Sequence, residues 1–160
     1  MDTEQTRSLI ARYYKALTTG DLQTVKDCLA EDVVWQLPQS VTTVPSDDNR
    51  RVFGEEVAAE LGGRTVKKNF DLSKPFNLEI RNIVVDGGMA VVQQRLIATA
   101  KATGSDYDNQ YCWVYTCEND KIVRMEEYAD TLYAARSMGQ DLKGEQWLNK
   151  IWTSLLATEL

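Results

Sequence analysis

YDNQYCWVYTCENDKIVRMEEYA, residues 107–129, holds two runs of β-branched and aromatic residues separated by Glu118-Asn119-Asp120, residues that favour a tight turn. The spacing predicts an antiparallel hairpin with strands Tyr107 to Cys117 and Lys121 to Ala129. Upstream the pattern repeats. Met89 to Lys101 reaches Tyr107 through Thr103-Gly104-Ser105-Asp106, and Asn77 to Val85 reaches Met89 through Asp86-Gly87-Gly88. Four consecutive strands make a meander. Period two places Asn109, Tyr111, Trp113 and Tyr115 on one face of their strand and Gln110, Cys112 and Val114 on the other; the first set makes the more convincing interior. On the last strand Val123, Met125 and Glu127 share one side, and Arg124, Glu126 and Tyr128 the other.

The residues before the meander change period. Leu9, Ile10, Tyr13, Tyr14 and Leu17 recur at the spacing of one helical face, with Asp2 or Thr3 as cap and Gly20 as stop. Asp21 then caps a second helix with a buried stripe of Leu22, Val25, Cys28 and Leu29. Val33 to Leu37 reads as a short strand ending at Pro38, with Val33, Trp35 and Leu37 on one side. Gln39 to Val52 is polar and irregular, a candidate lid or edge loop. Gly54 to Leu61, closed by Gly62-Gly63, fits a third, short helix. Thr131 to Met138 follows as a further helix capped by Asp130. Beyond it, Glu145 to Thr158 carries Trp147, Leu148, Ile151, Trp152, Leu155 and Leu156 on one wide helical face. Such a face needs cover, from its own sheet or from a second subunit.

Composition narrows the function classes. A chain of 160 residues without a Pro-, Gly- or Ser-rich linker predicts one core. Asp and Glu number 24 against 18 Lys and Arg, with no basic stripe, which argues against nucleic acid as a partner. No signal-peptide pattern and no membrane-length apolar run are present, so a cytoplasmic protein without a membrane partner is expected. The three cysteines lack CxxC spacing and suit reduced thiols. The absence of histidine removes Ser-His and Cys-His pairs and the commonest transition-metal ligand, so neither a metal nor an organic cofactor is expected.

Arg12 to Leu22 (RYYKALTTGDL), Asp32 to Pro38 (DVVWQLP), Phe53 to Glu56 and Asp120 to Asp130 (DKIVRMEEYAD) resemble segments of ketosteroid isomerases and SnoaL-like polyketide cyclases of the NTF2-like superfamily. The resemblance covers roughly residues 5–138. It implies an α+β fold in which a cone-shaped, curved antiparallel sheet packs on N-terminal helices around a pocket. The expected division is a SnoaL-like domain over 1–138 and a helical extension over 139–160, packed on the same domain or on the partner of a homodimer.

Residue by residue, the resemblance gives Tyr13 the place of the isomerase tyrosine that donates to a forming enolate, although Tyr13 also suits a core aromatic bonded locally. The isomerase base falls at Leu37, which cannot move a proton, and the second oxyanion donor at Tyr111 or Cys112, neither a carboxylic acid. The Asp-Arg-Asp set of limonene-epoxide-hydrolase relatives is incomplete, because the second meander strand offers Gln93, Gln94 and Arg95 and no aspartate. Only the last-strand carboxylate is matched, by Glu127. Strand parity favours Glu127 independently, since an inward carboxyl among apolar neighbours is desolvated and its pKa rises toward acid/base use; the alternative pairs it with an inward Arg95. The expected site therefore has Glu127, Tyr13 and Asn109 as catalytic groups. Trp35, Leu37, Gln94, Tyr111, Trp113 and Met125 are expected to contact a small, hydrophobic, oxygenated molecule.

Overall fold

The computed structural model describes residues 1–38 and 51–139. Most of the segment read as a lid, and the apolar helical pattern of Glu145 to Thr158, lie outside the described residues.

Helix α1 (Thr3–Thr19) starts where Asp2 accepts from the Gln5 amide while the Gln5 side chain accepts from the Asp2 amide, a reciprocal cap. It stops at Gly20, whose left-handed φ of 73° lets the chain turn back into the carbonyls of Ala16 and Leu17. The expected stripe is buried, with Leu9, Ile10, Tyr13 and Tyr14 all inside. Helix α2 (Leu22–Cys28) is capped by Asp21 and ends earlier than its apolar pattern suggested. Leu29 belongs to strand β1 (Leu29–Gln36), and Leu22, in the first turn, is exposed. Cys28 is buried beside Arg12, whose Nε donates to Sγ at 3.4 Å, while Arg12 also pairs with Asp120 in the last hairpin turn.

Strand β2 (Arg51–Phe53) pairs with β1, so the end of the presumed irregular segment is sheet. Helix α3 (Glu55–Ala59) does not end at Gly62-Gly63. It runs through a π-helical turn, Glu60–Arg64, into α4 (Thr65–Asn69). Gly63, at φ 124°, supplies the kink that joins the two helices.

The meander is β3 (Asn77–Asp86), β4 (Met89–Thr99), β5 (Asp106–Glu118) and β6 (Lys121–Ala129), followed by α5 (Thr131–Ser137). Strand order in the six-stranded sheet is β2-β1-β6-β5-β4-β3, curved and unclosed, with the N-terminal helices packed on it. Four pairings are antiparallel and one, β1 with β6, is parallel. Parity puts Asn109, Trp113 and Tyr115 inside and Tyr111 half-buried, as the aromatic register predicted, and buries Tyr107 on the same face. On β6 a bulge intervenes: Cys117 faces Ile122 and Thr116 faces Arg124, so Ile122 rather than Val123 joins Met125 inside. The hairpin turn before it uses left-handed Asn119 and Asp120, residues that tolerate positive φ. No described helix is long and apolar enough to cross a membrane.

The β3–β4 turn is held tightly to the end of β5. The Gly88 carbonyl accepts from the Cys117 amide at 2.7 Å, and a Cβ on Gly88 would stand 2.8 Å from the Cys117 carbonyl oxygen. Gly88→Ala is expected to lose about 1–3 kcal/mol in urea denaturation through that backbone overlap; unchanged stability would show that the turn is free to move away.

Candidate functional site

Between the helices and the inner face of the sheet lies a cavity of about 710 Å³. Its wall is aromatic because the inward positions of β5 are filled by Tyr107, Tyr111, Trp113 and Tyr115, while α1 contributes Tyr13 and Tyr14 and β1 contributes Trp35. The rings interlock: Trp35 and Trp113 lie 5.6 Å apart, Trp113 stacks on Tyr115 at 6.1 Å, and Tyr13 meets Tyr14 edge-on at 5.4 Å. Pairs of this kind fix ring positions as well as bury area.

One carboxyl enters this wall. Glu127 stands opposite Trp113 in the β5–β6 register, and its Oε2 accepts a hydrogen bond of 3.1 Å from the Trp35 indole nitrogen. No cation pairs with it among the described residues. Desolvation therefore dominates and pushes its pKa from 4.5 up to about 7, with the Trp35 hydrogen bond opposing the rise. The residue's remaining exposure faces the cavity it lines.

The surrounding phenols are held in two groups. Tyr14 donates to the Gln94 side-chain oxygen at 2.9 Å and shares a hydrogen bond of 2.7 Å with the Tyr115 hydroxyl. Tyr107 and Tyr111 share one of 2.6 Å, and the Asn109 amide donates to Tyr107 at 2.9 Å. The Tyr13 hydroxyl makes no hydrogen bond among the described residues, which leaves it as a donor. Burial raises the pKa of Tyr13, Tyr14, Tyr111 and Tyr115, so all four stay protonated at neutral pH. The Trp113 indole nitrogen is buried without a partner among the described residues.

The structure thus brings Glu127 and Tyr13 to one cavity, with Trp35, Leu37, Gln94, Tyr111 and Trp113 around them. Asn109 and Met125 are elsewhere. Asn109 is buried and does not line the cavity; its amide donates to Tyr107 and to the Asp130 carbonyl and its oxygen accepts from the Gln110 amide, so both of its donors are already used within the protein. Met125 is wholly buried in the core, between its strand-pair neighbours Trp35 and Tyr115. Arg95 points outward, where Asp108 binds it through two nitrogens, and it cannot be the partner of Glu127.

Several contributors were missed by sequence reasoning. Tyr14 and Tyr107 belong to the bonded shell together with Tyr115, which parity had already placed inward, and strand parity with Tyr111 was the signal for Tyr107. The cavity is also lined by Glu60, Arg64, Thr65 and Lys68 from the π-helical turn and α4, by Ala135 from α5 and by Met138 just after it. There Arg64 pairs with Glu60 at 2.9 Å and Glu56 at 3.6 Å, and Thr65 also bonds Glu60. The five residues of α4 have no apolar periodicity to announce them.

The Glu127 environment has a measurable consequence. A carboxyl that keeps its proton to about pH 7 when folded, but loses it near 4.5 when unfolded, makes the native state the one with more bound protons between those values. Stability is then fully present at low pH and falls as pH rises through 7, by about 3 kcal/mol in total. Asp21, Asp71, Asp108 and Glu126, whose pKa values are lowered, act in the opposite sense and below this window. Denaturation from pH 5 to 8 is expected to show the decline in the native protein and little of it in Glu127→Gln. Trp35→Phe removes the donor that favours the anion and should extend the decline to higher pH. Parallel curves for native protein and Glu127→Gln would contradict this.

The model of the SnoaL-like domain family matches residues 10–125. No curated protein sequence matches. Among solved structures, an NTF2-like protein from Burkholderia xenovorans LB400 is similar with a TM-score of 0.68 and 20% identity, over 86% of this chain and 98% of that one. An NTF2-like protein of unknown function from Burkholderia pseudomallei K96243 gives 0.67 and 22%, over 84% and 97%. An LEH-like epoxide hydrolase from M. tuberculosis gives 0.60 and 18%, over 85% and 90%. At such identities the structures establish the fold and leave the reaction to the residues. The family match spans most of the chain, from α1 into β6, and the chain belongs to the SnoaL-like domain family with an NTF2-like fold.

Proposed function

We propose that the cavity performs cofactor-independent acid/base catalysis, of the cyclase, isomerase or hydrolase/hydratase type, on a small, hydrophobic, oxygenated molecule such as a polyketide or terpenoid. The observation that carries this reading is Glu127: a desolvated carboxyl with a pKa of about 7, oriented by Trp35 and open to a cavity. A group at that pKa both accepts and returns a proton near neutral pH. Tyr13, a neutral phenol with an uncommitted hydroxyl, supports the reading as donor to an oxygen that gains charge during the reaction. The aromatic wall suits an apolar body, and the cavity volume is in the range that takes a drug-sized ligand. Epoxide hydrolysis by an Asp-Arg-Asp set is not part of this reading, because Gln94 faces the cavity and Arg95 faces away.

A second reading is a binding module that holds its ligand unchanged. It is favoured by the two tyrosine groups, whose hydroxyls are largely bonded to one another and to Gln94 and Asn109.

The readings separate experimentally. Turnover of a β-polyketone, an α,β-unsaturated ketone and a terpenoid epoxide is measured for native protein and Glu127→Gln, with near-UV circular dichroism as the control for folding. Catalysis predicts turnover of at least one compound, with kcat/KM titrating near pH 7 and a loss of about 10²–10⁴-fold in Glu127→Gln. Equal turnover by the folded variant overturns the role of Glu127. Binding of a compound without turnover, together with a more stable Glu127→Leu, supports the module, since the carboxyl would then be only a desolvation cost.

A further inference from the structure

We propose, resting on the reading of this cavity as a small-molecule site, that the buried Tyr115 and Tyr14 hydroxyls fix the Gln94 side chain with its amide nitrogen toward the cavity. Gln94 then selects ligands that carry an acceptor oxygen on an apolar body, and Tyr14 is its positioning residue. Gln94 stands in the middle of β4, is 9% exposed and lines the cavity. A glutamine amide can present either end to a ligand, its oxygen as acceptor or its nitrogen as donor. The partner of the other end decides which.

Counting protons fixes the choice. Tyr14 and Tyr115 have one hydroxyl proton each, and Tyr14 makes two hydrogen bonds, to Gln94 Oε1 at 2.9 Å and with the Tyr115 hydroxyl at 2.7 Å. Because the Tyr14 proton goes to Gln94, Tyr115 is the donor of the second bond. Both protons are then used, in a chain from Tyr115 through Tyr14 to Oε1 in which each bond polarises the next. Turning the amide over would make Nε2 a donor to the Tyr14 oxygen and leave the two phenols a single acceptor for two protons. Tyr115 is 1% exposed and Tyr14 6%, and neither hydroxyl makes another hydrogen bond among the described residues, so the surplus proton would be buried without a partner.

Nε2 itself has no partner among the described residues, and unlike the Trp113 indole nitrogen it is not sealed off. Its side chain lies on the α1 side of the sheet, so the space it reaches is the cavity. The other polar groups of the aromatic wall point the same way. The Tyr13 hydroxyl is an uncommitted donor, and Tyr107 and Tyr111 hold two protons for one mutual bond while Tyr107 also accepts from Asn109. A carbonyl oxygen meets donors here, whereas an amine would set donor against donor.

The test is a ligand-observed NMR titration of the full chain with α-tetralone, a bicyclic ketone, and with tetralin, the same rings without the oxygen. Native protein is expected to bind the ketone about tenfold more tightly, through one hydrogen bond to a donor that is otherwise unpaired. Gln94→Leu is expected to remove most of that preference while tetralin affinity stays within about twofold. Tyr14→Phe keeps Gln94 but frees its amide to turn, and should lower ketone affinity about threefold with tetralin unchanged; combined with Gln94→Leu it should add nothing further. A native protein that does not distinguish the probes, by binding both alike or neither, overturns the proposal. So does a Gln94→Leu variant with its preference intact. Losses from Tyr14→Phe that are equal for both probes, or that add to those of Gln94→Leu, overturn the positioning role. Because only binding is measured, an absence of turnover in the catalytic assay leaves this result untouched, and the two failures are read separately.

Discussion

The hydrogen bond from the Trp35 indole to Glu127 crosses the parallel junction between β1 and β6, and it is the point at which the sheet, the aromatic wall and the carboxyl meet. A carboxyl placed in such a wall without a cation is costly when ionised. The structure meets the cost with one neutral donor and a raised pKa rather than with an ion pair. This choice constrains the surroundings. Trp35 must be held in place, which the Trp113 ring does from β5, and Trp113 is set opposite Glu127 only because the β6 bulge is complete before that register begins. The phenols must also stay neutral, and their burial in mutually bonded pairs keeps them so.

Much of the frame was legible because period and punctuation agreed. The meander strands, the Gly20 stop and the Asp21 and Asp130 caps each rest on local chemistry that needs no tertiary context. The errors share a physical cause, which is that neighbours overrode local preference. Gly62-Gly63 reads as a terminator in isolation, yet the chain uses Gly63 to kink from one helix into the next. Leu29 extends a helical stripe on paper but pairs with Ile122 in the sheet. The bulge that exchanges Ile122 for Val123 leaves no mark in a period-two pattern, because one extra residue shifts parity only from that point back.

Parity turned Glu127 and the tyrosine face inward, and the structure has them inward, since those positions lie beyond the bulge. It gave no means of telling a residue that lines the cavity from one buried behind it. Asn109 and Met125 have the same parity as their neighbours and differ only in depth: Asn109 spends its amide on the backbone and on Tyr107, and Met125 fills the core. Arg95 was offered as an inward partner on charge alone, and its alternation with inward Gln94 shows why it faces Asp108 instead. Hydrogen-bond partners between Tyr14, Gln94 and Tyr115 come from three distant parts of the chain, so only the fold brings them together.

The central claim is a carboxyl that is neutral just below pH 7 inside an aromatic cavity, and side-chain carboxyl ¹³C NMR reads it directly. In a titration of the full chain, one glutamate is expected to show a midpoint of about 7, and that resonance is expected to be missing from Glu127→Gln. A spectrum in which every glutamate titrates near the ordinary value of 4.5 would contradict the account.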